Sequence, residues 1–598
     1  MYASFLQGPA RAHWSRIGAR RRAGVATPLF SVYSETSAGV GEYPDLVPLG
    51  RWARAAGLSI LQLLPMNDVG YTFRPYDAES SIALEPMHLC LGAVRGGGAG
   101  AGRLAAARIR RTYGPQGRVR YDTAVKRAKL EALRSIFDRQ GKRPAAFAAF
   151  RRRCAEWLGP YAQYKVLKSI YGQRAWWDWP EPFRHRSGAE YEAFLRERAV
   201  EIEYHEWLQW QCHEQFAAAH AALGRMGVLL LGDLPFLVSR DSADVWAEQR
   251  YFKLDLAAGA PPDLCFAEGQ RWGMPPYDWP AIEKDAYRYL RRKLLYAETF
   301  YDLFRLDHFV GIFRVWAFQD APGGKGAFDP PDTDIWEAHG RRILSAILSS
   351  TRMLPVAEDL GTVPDCSYAL LRETGLPGTD IQRWSRHWDR PGAAFKSPEE
   401  YRPNAVCVVS THDISPLRQW WEAEAGTIDT YSFASWCAEA GLDAETLRGE
   451  LFDEKSSRYG RLRWKETLDS EEALSRLVGG HRPRALFEAF RSTSRERSDY
   501  WSAVGLKGTP SERATPEFLR AALGASLNSA SVFSVQLLQD WLAPAELPGM
   551  DAWDYRINFP GVTSDANWSI VLPAPIERLT KLAETSLIRG LVERTGRI

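Results

Sequence analysis

The chain has 598 residues, with 76 basic and 73 acidic side chains and a formal net charge of +3 at pH 7. This near balance argues against partnership with nucleic acid or an anionic membrane surface, so a neutral partner is expected. The sequence has no run of about 20 apolar residues and no apolar signal core near residue 1, which argues against a membrane span or export. The length fits one catalytic unit with large insertions better than several unrelated domains.

Eight short apolar runs are predicted to be β-strands. In chain order they are residues 26–32, 58–65, 228–235, 303–308, 354–360, 379–384, 405–413 and 530–539. Most lack strict alternation and are followed by polar residues, Pro or Gly, as expected of parallel strands covered on both faces. Helical patterns separate several of them, so the chain is predicted to be an α/β protein with a (β/α)8 TIM barrel.

Two charged, helix-rich segments do not fit this repeating unit. They are interpreted as helical insertions, at about residues 90–201 and 423–525. Residues 1–24 are interpreted as a basic, solvated lead-in, and residues 25–598 as the catalytic barrel that carries both insertions. The 7 cysteines are dispersed without a C-x-x-C pair, which predicts no zinc site, no disulfide framework and a reducing, cytoplasmic compartment.

Three acidic signatures follow the fourth, fifth and seventh predicted strands. They are Arg305-Leu306-Asp307-His308, Glu358-Asp359 and His412-Asp413. About fifty residues separate one signature from the next, which is enough for a helix and another strand, so the carboxylates can meet at one rim of the barrel. Each signature alone has an ordinary structural explanation, such as a surface ion pair or a helix N-cap. Their joint order and spacing favour a site that processes glycosides.

The chemistry of acetal cleavage suggests a role for each acid. Cleavage with retention needs an ionised carboxylate as nucleophile and a protonated carboxyl group that donates to the leaving oxygen. Asp307 fits the first role, because Arg305 points to the same side of the strand and favours the ionised form. Glu358 fits the second role, because an apolar cleft favours the protonated form. Asp413 and His412 would bind sugar hydroxyls, and the Asp413 carboxylate would stabilise an oxocarbenium-like transition state.

Further blocks accompany the three acids, and together they resemble the 4-α-glucanotransferases (amylomaltases or disproportionating enzymes) of glycoside hydrolase family 77. The blocks are residues 39–43, 63–68, 232–236, 261–263, 269–273, 556–561 and 567–568. The resemblance extends from about residue 25 to about residue 575. Within the family, residues 304–316 and 410–421 are closer to the plant cytosolic disproportionating enzyme and its bacterial relatives than to compact bacterial amylomaltases. The starch-binding modules of the plant enzymes are expected to be absent.

The resemblance implies an activity and a set of site residues. It implies transfer of glucosyl units among maltose, maltooligosaccharides and glycogen-like acceptors through a covalent glucosyl-enzyme, with no metal or organic cofactor. It implies that Asp307 is the nucleophile, Glu358 the general acid/base and Asp413 the transition-state stabiliser. Substrate contacts are implied for Tyr76, Asp233, Trp272, Arg305, His308 and His412. Of these, Tyr76 would stack on the sugar at the cleavage point, and Trp272 would lie in a mobile loop over the acceptor side.

Some positions depart from the family pattern, and two alternative functions remain open. Arg74 and Asp77 flank the Pro75-Tyr76 pair where many members have Ser and Gln, and Leu264-Cys265, followed by Phe266, replaces a Tyr-Phe pair. One alternative is an α-glucan hydrolase of the same clan, although a covering loop at residues 261–280 favours transfer because it excludes water. The other is a non-catalytic glucan-binding protein, which the presence of all three carboxylates disfavours. No feature predicts the donor length or the oligomeric state.

Overall fold

The computed structural model describes residues 2–96, 98–115, 118–262, 269–320, 324–390, 392–480, 482–545 and 556–598. Eight parallel strands form its central sheet: β1 Arg22–Ala26, β2 Ile60–Gln62, β3 Leu229–Leu234, β4 Leu303–Leu306, β5 Leu354–Ala357, β6 Gly378–Ile381, β7 Ala405–Val408 and β8 Phe533–Leu537. Strands that follow one another in the chain are neighbours, and β8 pairs with β1. The predicted TIM barrel is confirmed.

The barrel closes between β5 and β6 through side chains as well as backbone. The backbone N–H of Ala357 donates to the carbonyl of Pro377 at 2.8 Å, and the Thr379 N–H donates to the Asp359 carboxylate at 2.7 Å. A Cβ atom on Gly378 would lie 2.7 Å from the Asp359 oxygens, so glycine leaves the space that this carboxylate fills. Asp359 therefore replaces part of the strand ladder and does not face the barrel opening.

The first strand differs from the prediction. It is Arg22–Ala26, whereas residues 29–31, predicted as strand, form a single 3-10 turn. Helix Arg11–Ile17 precedes it, and the buried Trp14 donates from its indole N–H to the carbonyl of Gly375 at 2.8 Å. The prediction of a solvated lead-in over residues 1–24 is therefore wrong, because this segment contains a packed helix and the first barrel strand.

Helices surround the barrel and fill the long connections. Between β2 and β3 lie the α-helices Ala99–Tyr113, Ala124–Arg139, Ala145–Arg153, Ala155–Ile170, Glu181–His185, Ala189–Glu197 and Ala199–Arg225. Between β7 and β8 lie Leu417–Gln419, Thr430–Glu439, Ala444–Leu451, Glu471–Leu477, Arg484–Thr493, Glu496–Ala503 and Pro516–Asn528. The other helices are Arg11–Ile17, Leu46–Ala55, Ala243–Ala247, Trp279–Lys284, Arg288–Ala297, Trp336–Ser350, Asp365–Thr374, Leu538–Leu542, Ile576–Leu579 and Ala583–Arg594.

Two small antiparallel sheets lie outside the barrel. One has the strands Leu256–Ala260, Gln270–Arg271, Val315–Gln319 and Gly326–Asp329, and the other pairs Thr427–Asp429 with Arg461–Arg463. Buried apolar residues between 428 and 490 form a core of their own beside the main core of the barrel. Among the residues described, no helix combines the length and apolar character needed to cross a membrane.

Candidate active site

Strand register brings Arg305 and Asp233 together at the carboxyl end of the barrel. Asp233 in β3 lies opposite Arg305 in β4, and both Asp233 oxygens accept hydrogen bonds from one Arg305 nitrogen, Nη1, at 3.0 Å. The Asp233 carboxylate is completely buried, so this guanidinium supplies the counter-charge that a buried carboxylate needs. The pair thus follows directly from the alignment of two adjacent parallel strands.

The same guanidinium reaches two of the predicted catalytic acids. Its Nη1 atom lies 2.7 Å from Oδ1 of Asp307, and its Nη2 atom lies 3.8 Å from Oε2 of Glu358. Asp307 immediately follows β4 and Glu358 immediately follows β5, and these two strands are paired in parallel. Arg305 therefore holds Asp307 and Glu358 on the same side of the opening.

Glu358 is held in a different environment from Asp307. Its Oε2 atom accepts a hydrogen bond from the backbone N–H of His308 at 2.8 Å. His308 has φ 47°, in the left-handed region, and this turn after β4 directs its N–H towards the carboxyl group. Burial raises the pKa of Glu358 to about 8, with the Arg305 charge opposing the shift and the Asp307 charge adding to it. Glu358 is therefore protonated at neutral pH.

Asp413 occupies a third position at the rim, in the loop after β7. Its Oδ2 atom lies 3.1 Å from Nε2 of His412, and its Oδ1 atom accepts a hydrogen bond from the Asn558 side-chain amide at 2.7 Å. Burial opposes ionisation, but His412 and the Asn558 hydrogen bond outweigh it and hold the pKa of Asp413 well below its usual value. Asp413 is therefore an ionised carboxylate.

Tyr76 and the two histidines pack around these acids. The Tyr76 hydroxyl donates to Oδ2 of Asp233 at 2.8 Å, and its ring stacks on the His412 ring with centroids 5.2 Å apart. Burial raises the pKa of Tyr76 well above its usual value and lowers the pKa of His308 to about 4. The phenol and the His308 imidazole are therefore neutral groups beside three ionisable acids.

Trp272 is placed at the edge of the same region. Its ring meets the His308 ring edge-on with centroids 5.0 Å apart, and 37% of the residue is exposed. It lines a cleft of about 980 Å³ whose other walls include residues 71–74 and 558–569. The predicted aromatic Phe266 and the Leu264-Cys265 pair lie outside the described residues.

All nine predicted site residues thus gather at one end of the barrel, and the structure adds residues to which the sequence analysis assigned no role in the site. Asn558 and Trp384 are two of them, and Trp384 lines the cavity of about 290 Å³ that also contacts Glu358 and Asp413. A third is Trp568, whose ring centroid lies 5.8 Å from that of Tyr76. The Trp384 residue is 46% exposed, which is high for a tryptophan. A single sequence does not show which tryptophans are exposed, so this residue could not be predicted.

Comparison with known proteins identifies the family. Residues 27–575 match the family model described as 4-alpha-glucanotransferase, glycoside hydrolase family 77. The 4-alpha-glucanotransferase of Chlamydia trachomatis serovar D is 36% identical over 435 residues, which cover 70% of this chain and 79% of that protein. The rice 4-alpha-glucanotransferase DPE2 is 25% identical over 561 residues, covering 68% of this chain and 59% of that protein. The placement near the plant branch stays a prediction.

A solved structure shares the fold. The amylomaltase from Streptococcus agalactiae, determined in complex with acarbose, superimposes with a TM-score of 0.69 at 18% identity and covers 97% of this chain and 100% of that one. From the family match and the relatives, the chain belongs to the 4-alpha-glucanotransferases of glycoside hydrolase family 77.

Proposed function

We propose that this enzyme transfers glucosyl and maltooligosyl units between α-1,4-glucans by a retaining double displacement, with Asp307 as nucleophile and Glu358 as general acid/base. The observation that carries the proposal is the shared contact of Arg305 with both carboxyl groups. Asp307 accepts a charge-assisted hydrogen bond from Arg305 at 2.7 Å, and Glu358 is protonated at neutral pH. A retaining mechanism requires one carboxylate as nucleophile and one protonated carboxyl group as acid.

In the first step, Asp307 attacks the anomeric carbon of the donor glucan. The Asp307–carbon bond forms as the glycosidic carbon–oxygen bond breaks, and the Glu358 proton passes to the leaving oxygen. The shortened glucan departs with that proton, and the transferred sugar remains as an ester on Asp307. Arg305 holds the Asp307 carboxylate in line throughout, because its Nη1 atom is fixed at the same time by Asp233.

In the second step, a hydroxyl group of the acceptor glucan replaces the ester. Glu358, now ionised, takes the hydroxyl proton while the acceptor oxygen attacks the anomeric carbon and Asp307 leaves as a carboxylate. The raised pKa of Glu358, about 8, makes it a competent acid in the first step and a competent base in the second. The configuration at the anomeric carbon is retained after two inversions.

The remaining site residues bind and orient the sugar. Asp413 is an ionised carboxylate, so it stabilises the positive charge that develops on the sugar ring in both steps. The ring of Tyr76 offers a flat apolar surface for the sugar, while its hydroxyl is anchored on Asp233. His412 and the neutral His308 complete the walls.

Transfer is favoured over hydrolysis where the acceptor side is covered. Trp272 lines the cleft of about 980 Å³, which is large enough for several sugar rings. Its indole ring can stack on an acceptor sugar, and this contact favours a sugar acceptor over water. We extend the proposal to maltose, maltooligosaccharides and glycogen-like glucans as substrates, and to a cytoplasmic location, which the dispersed cysteines support.

The test is the product ladder from a pure donor. Maltotriose alone should give glucose together with maltopentaose and longer oligosaccharides, and adding glycogen should divert glucosyl units to the polymer. Release of free sugars with no chain longer than maltotriose would contradict transfer and would show that the protein is an α-glucan hydrolase. If the folded protein formed no product from maltose or maltotriose, the result would favour a non-catalytic glucan-binding protein.

A further inference from the structure

A second cleft lies in the long connection between β7 and β8. It has a volume of about 800 Å³ and is lined by parts of residues 422–426, 453–469, 494–498 and 509–512. It shares no lining residue with the cavity at Glu358 and Asp413. The volume exceeds the space that a simple ion fills and suits a small organic ligand.

Four arginines line this cleft without an ion-pair partner: Arg458, Arg463, Arg495 and Arg497. Within the described part of the chain, none of the four has a carboxylate oxygen within 4.0 Å, unlike the partly or fully buried Arg305, Arg386 and Arg402. Unpaired guanidinium groups that share one concave surface favour a ligand with negative charge, and their planar donor arrangement matches phosphate.

The two inner arginines are positioned by neutral groups. Nη1 of Arg463 donates to the carbonyl of Ala425 at 3.0 Å, and Nη2 of Arg497 donates to the carbonyls of Ser511 and Glu512 at 2.7 and 2.8 Å. The Nε atom of Arg497 is buried and has no hydrogen-bond partner. Carbonyl oxygens hold these two side chains in place, and in the described part of the chain neither has a carboxylate oxygen within 4.0 Å.

The arginines also lie close enough to repel one another. Burial, together with the charges of Arg497 and Arg458, lowers the pKa of Arg463 to about 10. Glu512 and Glu496 oppose this effect without reversing it. An anion bound beside Arg463 would offset the repulsion between its guanidinium group and those of Arg458 and Arg497.

Acidic side chains are present in the cleft as well, and they bear on the kind of ligand. They are Glu422, Asp453, Glu466, Asp469 and Glu512. Asp453 accepts a hydrogen bond from Ser456 at 2.8 Å, and Glu422 lies 3.6 Å from Arg418, so both are already engaged. Glu466 and Asp469 are exposed at the edge, where carboxylates can accept hydrogen bonds from hydroxyl groups. A cleft with arginines inside and free carboxylates at its edge suits a molecule with both phosphate and hydroxyl groups.

We propose that this cleft binds a phosphorylated sugar, with the phosphate group held by Arg458, Arg463, Arg495 and Arg497. A free hexose phosphate and a phosphorylated glucan present the same chemistry to these arginines. The site is separate from the transfer chemistry, so its occupation does not depend on the roles proposed for Asp307 and Glu358.

Calorimetric titration of the full-length enzyme tests the proposal with four probes: inorganic phosphate, glucose 6-phosphate, maltoheptaose, and maltoheptaose phosphorylated at one glucose. Glucose 6-phosphate should bind saturably, and added NaCl should weaken this binding because exposed arginines contribute to it.

Phosphorylated maltoheptaose should bind a site that unphosphorylated maltoheptaose does not. Tighter binding of the phosphorylated glucan than of glucose 6-phosphate assigns the site to glucans, and the reverse order assigns it to hexose phosphates. If inorganic phosphate bound as tightly as both sugar phosphates, the site would be a simple anion site and the proposal of a sugar ligand would be overturned.

Variants link binding to the cleft. Arg458→Gln and Arg495→Gln replace exposed side chains, so they should fold normally, and each should weaken binding of glucose 6-phosphate by about threefold to tenfold. Arg484→Gln is the control, because Arg484 is also exposed but is paired with Glu488 at 2.7 Å outside the cleft. No saturable binding of any phosphorylated probe to the wild type, or unchanged binding in both cleft variants, overturns the proposal.

Discussion

The backbone N–H of His308 donates a hydrogen bond to the Glu358 carboxyl group at 2.8 Å, which joins the ends of strands β4 and β5. The bond fixes the carboxyl group, while burial raises its pKa to about 8. Position and protonation of the proposed acid are therefore set by two different features, one from the backbone and one from the cavity around it.

Glu358 should control the alkaline side of the pH profile. Because its pKa in the folded protein is raised to about 8, the carboxyl group is protonated below that pH and loses its proton as the pH rises through it. We expect kcat/KM for maltotriose to fall as the pH rises through about 8. In Glu358→Gln, assayed with a glucosyl fluoride donor that needs no proton, this alkaline decline should be missing. The same decline in both enzymes would assign it to another group.

Asn558 should contribute to catalysis through Asp413. Its amide donates to Asp413 at 2.7 Å and helps to keep that carboxylate ionised. Asn558→Ala should lower kcat by about tenfold, in line with the loss of a hydrogen bond to a charged group. Asn404→Ala is the control, because Asn404 bonds a carbonyl of Leu376 just before β7, at the opposite end of that strand. Equal kcat values in the two variants would contradict a role for Asn558 in positioning Asp413.

Lys126 should stabilise the segment that carries Tyr76. This buried lysine lies 3.3 Å from Asp68 and 2.8 Å from Glu85, and it also donates to the carbonyl of Gly70. Lys126→Gln leaves the buried Glu85 without its counter-charge, although Asp68 keeps Lys165 at 2.9 Å, so the free energy of unfolding should fall by about 3–5 kcal/mol. Arg127→Gln, an exposed change on the same helix, should alter it by about 0.5 kcal/mol or less. Denaturant unfolding of both variants provides the comparison.

Trp272 should affect the balance between transfer and hydrolysis. Trp272→Ala removes a stacking surface worth about 1 kcal/mol to an acceptor sugar and opens the cleft to water. The ratio of free glucose to longer maltooligosaccharides formed from maltotriose should therefore rise, whereas total turnover need not fall. Trp177→Ala is a matched control, since Trp177 is 39% exposed against 37% for Trp272 and lines neither the cavity nor the cleft of the active site. An unchanged ratio in Trp272→Ala would show that the preference for transfer arises elsewhere.

The strands that precede Asp307 and Glu358 could be predicted because apolar residues dominate each run and an acidic residue follows it directly. β4 ends at Leu306 directly before Asp307, and β5 ends at Ala357 directly before Glu358. The first strand was not predictable in the same way, because Val25 is its one large apolar residue and it begins with Arg22, whose buried side chain donates to the carbonyl of Ile17 at 2.6 Å. From the sequence alone, an arginine that is buried and bonded to a backbone carbonyl cannot be distinguished from an exposed one.

Contacts between distant parts of the chain could not be predicted from the sequence either. Asn558 reaches Asp413 across a long stretch of intervening sequence, and no local pattern marks such a contact. The left-handed backbone of His308, which aims its N–H at Glu358, has no Gly or Asn signature. The pairing of Asp233 with Arg305 depends on strand register, which becomes known only when the barrel is assembled.

The most direct test of the account is to trap the covalent intermediate on Asp307. Glu358→Gln should react with a glucosyl fluoride, because fluoride leaves without a proton, and should then accumulate the ester, because no base activates an acceptor. Mass spectrometry of the digested protein should place one added glucosyl unit on the peptide that contains Asp307. Asp307→Asn should show no adduct and no disproportionation of maltotriose. An adduct on any other residue, or sustained disproportionation by Asp307→Asn, would contradict the assignment of the nucleophile.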